Sequence, residues 1–231
     1  MFSKKYLAFF LFLVAFLLVL SQAEPLLAQV PGILGMPRMD IEFKIPEVGS
    51  YAKYKLVDGK TKTESILKLS IVGKEKVGKE EFFWYEIEQI DPKTGSVNIF
   101  KMLISGDPQE PGTIKRMIYK SGKEPASELP QAFVSLMNQP PMDTTKAVKP
   151  KPKKLGTEKV KTKAGTFDCV HTEDATQGKQ PTDTWTSEKV PLFGIVKSTH
   201  GSTSLELMEH GTGAVTAIKE KAELLEMPGE K

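Results

Sequence analysis

Apolar and polar residues alternate with a period of two through long stretches of this chain after Gly49. That spacing gives a strand one buried face and one wet or partly covered face. Ile66, Leu67, Leu69 and Ile71 mix with Lys68 and Ser70, and Phe83, Tyr85 and Ile87 alternate with Trp84, Glu86 and Glu88. Runs rich in Val, Ile, Tyr, Phe and Thr are each closed by turn chemistry. Residues 50–57 and 61–72 flank Asp58-Gly59, a two-residue hairpin signal, and are expected to pair antiparallel. Gly73 and Gly78 bracket a charged turn before a strand at 81–90, and Asp91-Pro92-Lys93-Thr94-Gly95 turns the chain into 96–104. Pro108, Pro111 and Gly112 open a strand at 113–120. Five more strands read at 157–162, 166–172, 182–186, 193–199 and 203–208, joined by Ala164-Gly165, Gln177-Gly178 and His200-Gly201.

One segment of the core has a helical pattern. Residues 129–138 put Phe133, Leu136 and Met137 on one side, begin near Pro130 and stop before Pro140-Pro141. Residues 139–154 break the β pattern with prolines and lysines, and 214–231 read as a charged tail, with a frayed helix expected to start at Lys219. The fold class expected is therefore mainly β: a single domain over 49–213, built as a curved antiparallel sheet of about nine to eleven strands with one short helix.

The N-terminus changes the picture of where such a domain works. Lys4 and Lys5 give a positive start, residues 6–20 form an uninterrupted apolar run, and Ser21-Gln22-Ala23 places small residues where a signal peptidase reads. The run falls short of the roughly 20 residues that cross a bilayer, and Pro25 follows at once, which favours cleavage after Ala23 over a retained anchor. The expected localisation is the periplasm, or else the extracellular space. Residues 24–48 read as a Pro-rich leader. Cys169 is the single cysteine, so no lipoprotein thiol stands near the cleavage point and no internal disulfide forms. Removing the first 23 of 231 residues leaves 208, enough to bury a core without a staple. Loss of Lys4 and Lys5 lowers the formal charge from +3 to +1, a balance that argues against a nucleic-acid partner. The oligomeric state cannot be read from the sequence.

Chemistry-bearing residues are few. Cys169 and His171 stand two apart on one strand with Phe167 and share a face. With Asp183 they offer the start of a metal site or of a nucleophile and base, but no paired ligand spacing supports them, so no metal and no cofactor is expected. Asp183 and Trp185 pair a carboxylate with an indole, as carbohydrate sites do, and a core indole beside a turn carboxylate explains them as well. His200 and His210 adjoin glycines, Gly211-Thr212-Gly213 lacks the rest of a phosphate loop, and neither Ser135 nor Ser187 sits in a nucleophile elbow. No catalytic residue is assigned. Lys149, Lys151, Lys153 and Lys154 either form a solvated loop held extended by proline or contact an anionic membrane surface.

Four segments together resemble a known family: Glu158-Lys159-Val160-Lys161, Ala164-Gly165-Thr166-Phe167-Asp168-Cys169, Asp183-Thr184-Trp185-Thr186-Ser187, and Val190-Pro191-Leu192-Phe193-Gly194-Ile195-Val196-Lys197. They are similar to uncharacterised periplasmic domains related to the LolA and LolB lipoprotein-sorting proteins. The resemblance implies an open half-barrel wrapped over a short helical plug, with a concave apolar surface suited to acyl chains and a lipid or lipoprotein partner. It implies no catalytic residue. Phe83, Tyr85, Ile99, Met102, Met117 and Phe167 are the side chains expected to line that surface. The function expected is a non-enzymatic envelope protein that binds a hydrophobic ligand. The alternatives are a scaffold or assembly factor and, third, a metal-dependent enzyme around Cys169 and His171.

Overall fold

The computed structural model describes residues 47–105, 114–137, 152–175 and 180–225. The expected signal peptide, nearly all of the leader, and Lys149 and Lys151 lie outside them. Strands β1 (Tyr51–Asp58), β2 (Thr63–Val77), β3 (Glu80–Ile90), β4 (Val97–Ile104), β5 (Ile114–Ser121) and β6 (Ser127–Glu128) form one meander. Helix α1 (Gln131–Met137) follows. A second meander runs through β7 (Lys153–Thr162), β8 (Gly165–Asp174), β9 (Thr182–Thr186), β10 (Ile195–His200) and β11 (Thr203–Gly211), and β12 (Glu223–Leu224) closes the order. All twelve strands lie in one sheet, ordered β12-β6-β5-β4-β3-β2-β1-β11-β10-β9-β8-β7. The sheet is curved and open, with β12 and β7 at its edges. Its pairs are antiparallel except β6 with β12.

The mainly β, open and curved architecture is the one the alternation implies. The strand count is higher than expected because β6 and β12 have two residues each, too short for an alternating pattern to register. Gly73 is not in a turn. It lies within β2 at a register shift between Ile71 and Gly73, and the turn comes instead at Gly78 with a φ of 67°. Lys153 and Lys154, expected in the loop, begin β7.

Register explains the core. Across the sheet Leu67 opposes Tyr54, Leu69 opposes Ala52 and Ile87, Ile71 opposes Tyr85, Tyr85 opposes Met102, and Met102 opposes Met117. On the far side of β1, Tyr54 opposes Leu207 and Leu56 opposes Leu205. These side chains share one face and make the main core. Three pieces add to it: Val134 and Phe133 from α1, Val190 and Phe193 from the β9–β10 loop, and Phe167 and Cys169 from β8. The loop closes with Ser187 N–H donating to Gly194 O at 2.8 Å; Gly194 sits at a φ of +69°, where a Cβ would stand 3.1 Å from the Ser187 carbonyl oxygen.

The opposite face is covered by the chain's own C-terminal segment, which is extended where a frayed helix was expected. Ala214 N–H donates to Gly49 O at 2.8 Å, and Leu225 N–H to Glu128 O at 2.9 Å, so the segment crosses from β1 to β6. Between those ends Glu86, fully buried on β3, accepts the Ala217 N–H at 2.7 Å and the Thr216 hydroxyl. Lys101, the cross-strand neighbour of Glu86, donates to Thr216 Oγ1 at 3.1 Å, so the threonine hydroxyl bridges the two charges. Burial lowers the Lys101 ammonium from its ordinary value, against the opposing pull of Glu86. Ile218 then packs with Ile99, Ile118 and Ala126 in a second apolar cluster, flanked by Trp84 and Val97.

Removing the Glu86 carboxylate leaves the half-buried Ala217 N–H unpaired and Lys101 without its counter-charge. Glu86→Ala is expected to destabilise the protein by about 3 kcal/mol in urea titrations, and Thr216→Val by about 1 kcal/mol.

Candidate functional site

The concave face has an apolar part and a hydroxyl part. Strands β1 to β5 and β11 supply the apolar part, where Phe83, Tyr85, Met102 and Met117 are all buried in the main core. The Tyr85 and Phe193 rings stand 6.3 Å apart and tilted. Ile99 does not join them. It lies three residues from Met102, hence on the other side of β4, and packs under Ile218 in the second cluster. Phe167 does reach the main core, from β8, with its ring 5.6 Å from His210 in an edge-on arrangement.

Along the row Leu56, Leu205, Ser198, Thr184 and Thr172 the concave face turns from apolar to polar at β10. Ser198 Oγ donates to Asp183 O at 3.0 Å and lies 3.2 Å from the Thr184 hydroxyl, and Thr172 donates to Thr184 O at 3.4 Å. One row on, Thr182 is bonded to His200 Nδ1 at 2.9 Å. These strand threonines suit the pleat by their β-branching, and cross-strand hydroxyl pairs satisfy them where water is absent. Sequence reading misses this wall because threonine in a strand needs no functional reason. It also misses Tyr54, whose ring lies wholly inside the main core and whose hydroxyl has no hydrogen-bond partner among the described residues. Burial raises the ionisation of that phenol far above its ordinary value, so Tyr54 is a neutral donor.

Asp183 and Trp185 share a face, as period two requires, and His171 joins them from β8. His171 Nε2 is 2.8 Å from Asp183 Oδ1, and its Nδ1 is 3.3 Å from Glu158 Oε1 on β7. Its ring stacks on Trp185 at 4.2 Å and 19°, while the Trp185 Nε1–H donates to Glu158. From the neighbouring strand β10, Lys197 Nζ lies 5.1 Å from the indole centroid. Trp185 is flanked in register by His171 on one strand and Lys197 on the other, so both sides of the indole are taken by the protein and no sugar ring can stack there. The two carboxylates occupy opposite nitrogens of one imidazole and do not converge on a common point. No group of three or more metal-ligating side chains with suitable geometry occurs among the described residues.

Cys169 does not enter this cluster as a nucleophile. It is fully buried, its Sγ lies 3.6 Å from Phe167 O, and burial first, then the charges of Asp168 and Glu158, push the thiol up from its ordinary value. The cluster of Glu158, His171, Asp183, Trp185 and Lys197 ties four adjacent strands together. The concave face is the remaining candidate site.

No protein-family model matches the chain, and no curated protein matches it. Among solved structures the chain is similar to a candidate lipoprotein from Parabacteroides distasonis, at 14% identity and a TM-score of 0.39, over 75% of this chain and 100% of that one. It is also similar to a candidate exported protein with a YmcC-like fold from Bacteroides fragilis, at 13% identity and a TM-score of 0.39, over 74% of this chain and 99% of that one.

His200 gives a test of the hydroxyl wall. Burial, then the charge of Lys60, lowers its pKa from the ordinary value of 6.5. A group whose folded pKa is depressed contributes stability that is fully present above its unfolded pKa. The melting temperature is therefore expected to hold above about pH 6.5 and to fall as the pH drops below it, and His200→Gln is expected to reduce that slope.

Proposed function

We propose that this chain is exported and works in the cell envelope as a non-enzymatic binding protein, its half-barrel of the LolA kind taking a hydrophobic or acyl ligand against the concave face. The observation that carries the reading is the lining itself. Phe83, Tyr85, Met102 and Met117 form a continuous apolar field with Tyr54 placed within it as a neutral donor lacking a partner among the described residues. An acyl chain with a carbonyl oxygen meets both parts: its methylenes gain about 0.8 kcal/mol each on burial, and the oxygen satisfies the phenol. Methionines fit such a surface because their unbranched side chains repack around irregular ligands. Because these residues cover one another in the free protein, ligand entry requires that the α1 helix or the β9–β10 loop move away.

The apolar run at residues 6–20 followed by Ser21-Gln22-Ala23 supports export, and residues 49–213 make up the β domain in this reading. The half-barrel shape and the four segments similar to LolA-related domains support the ligand class.

A second reading, a scaffold that pairs its sheet edge with a partner, is favoured by β7. Among the described strands this ten-residue edge strand pairs only with β8, and it is exposed along most of its length.

Native mass spectrometry of the protein purified from the periplasm without detergent separates the two. A stoichiometric adduct that extraction identifies as an acyl lipid is the expected result, on a chain beginning at Glu24. A bare mass contradicts ligand carriage and leaves the scaffold reading. Tyr54→Phe is expected to raise stability by about 1 kcal/mol in the ligand-free protein, by removing an unpaired buried hydroxyl, and to shrink the adduct population.

A further inference from the structure

The exposed face of the β7–β8 hairpin is basic. Register places Lys154 opposite Thr172, Lys159 opposite Asp168 and Lys161 opposite Thr166, so three ammonium groups share one face, with Lys163 in the turn beyond. All four lysines are exposed, as are Thr157, Thr166 and Asp168 around them. The other acidic residues of the hairpin are directed elsewhere. Glu158 is held by Trp185 and His171 on the opposite face, Glu173 opposes Lys153 there, and Asp174 is buried. Of the hairpin's carboxylates, Asp168 alone stands among the four lysines, 3.9 Å from Lys159 in a pair open to water. Next to Lys154 the register shift leaves Leu155 as the extra residue of β7, 43% exposed.

We propose that this face is a docking surface for an anionic lipid bilayer. Lysines on an edge strand also block unwanted strand pairing, but edge protection works with charge on either face. Here the unpaired charge is of one sign and on one face, which is what a charged plane requires. Alternate residues of a strand lie roughly 6.7 Å apart, so the ammonium groups reach a flat array of headgroups without any pocket. Leu155 favours a bilayer over an acidic protein, because an apolar side chain flanked by lysines enters the boundary between headgroups and acyl chains while the ammonium groups stay in water. At this end of β8 the basic face is turned away from Phe167 and Cys169, which pack in the main core, so the ammonium groups are free to meet a flat surface. Bilayer docking does not depend on ligand carriage, and either can fail without the other.

The test is sedimentation of the protein, purified without detergent, with phosphatidylcholine vesicles and with vesicles containing an equal share of phosphatidylglycerol. The expected result is binding to the phosphatidylglycerol vesicles alone, weakening steeply as salt rises. Each lysine near an anionic surface strengthens partition about fivefold, so the combined K154Q, K159Q, K161Q and K163Q variant is expected to lose binding by several hundredfold. Leu155→Ser is expected to lose less. All five positions are exposed, and an unchanged melting temperature shows that the fold is kept. The salt dependence of the unaltered protein tests the same point without any variant. Equal binding to both vesicle types, binding insensitive to salt, an unchanged quadruple variant, or no binding to either vesicle would overturn the proposal; the last outcome leaves an acidic protein as the partner that fits the charge.

Discussion

β1 hydrogen-bonds β2 on one side and β11 on the other, and this double pairing joins two parts that would otherwise be separate sheets of seven and five strands. Each alone would present a long unpaired edge at the place where its apolar residues are densest. Joined, they put Leu67, Tyr54 and Leu207 in one cross-strand row and make the main core continuous across the seam. The row survives because the irregularities are placed to preserve facing. A shift between Lys53 and Tyr54 and another between Ile71 and Gly73 each absorb a residue that would otherwise turn every later side chain to the wrong face.

An open sheet has two faces to cover, and this chain covers them in different ways. The concave face curls over its own apolar rows and is completed by Phe133 and Val134 of α1, the β9–β10 loop and the β8 side chains Phe167 and Cys169. The outer face is covered by residues 214–222, fixed through one buried carboxylate and one threonine hydroxyl. A buried Glu86 is costly without compensation, and here two donors and a nearby lysine supply it. The outer face is thereby committed to structure, and the concave face and the lysine-bearing hairpin are left for interaction.

The strands that alternate strongly were legible: 83, 85 and 87 against 84, 86 and 88 give β3 both its position and its facing. Ile99 was misplaced among the concave residues because apolar character alone does not carry its parity against Met102. Parity fails in another way on β8, where Phe167 and Cys169 are buried at one end and Asp174 at the other, so the buried side changes along the strand. Twist of that kind arises from the strand's place in a curled sheet and leaves no mark in its own residues. The C-terminal strap was illegible for a different reason. It has neither period nor length, and Thr216 and Ala217 acquire meaning through Glu86, more than a hundred residues away. The His171 cluster was half legible: period two placed Asp183 beside Trp185, but which strand would neighbour β9 was not encoded locally.

The central claim is that the concave face, rather than the outer face or the His171 cluster, receives an acyl ligand. The most direct measurement is photo-crosslinking with a diazirine-bearing acyl lipid, followed by peptide mapping of the adducts. Label is expected on the peptides carrying Phe83, Tyr85, Met102 and Met117, reduced by unlabelled lipid in excess. Label confined to the outer-face residues around Trp84 and Ile218, or spread without competition, would contradict it.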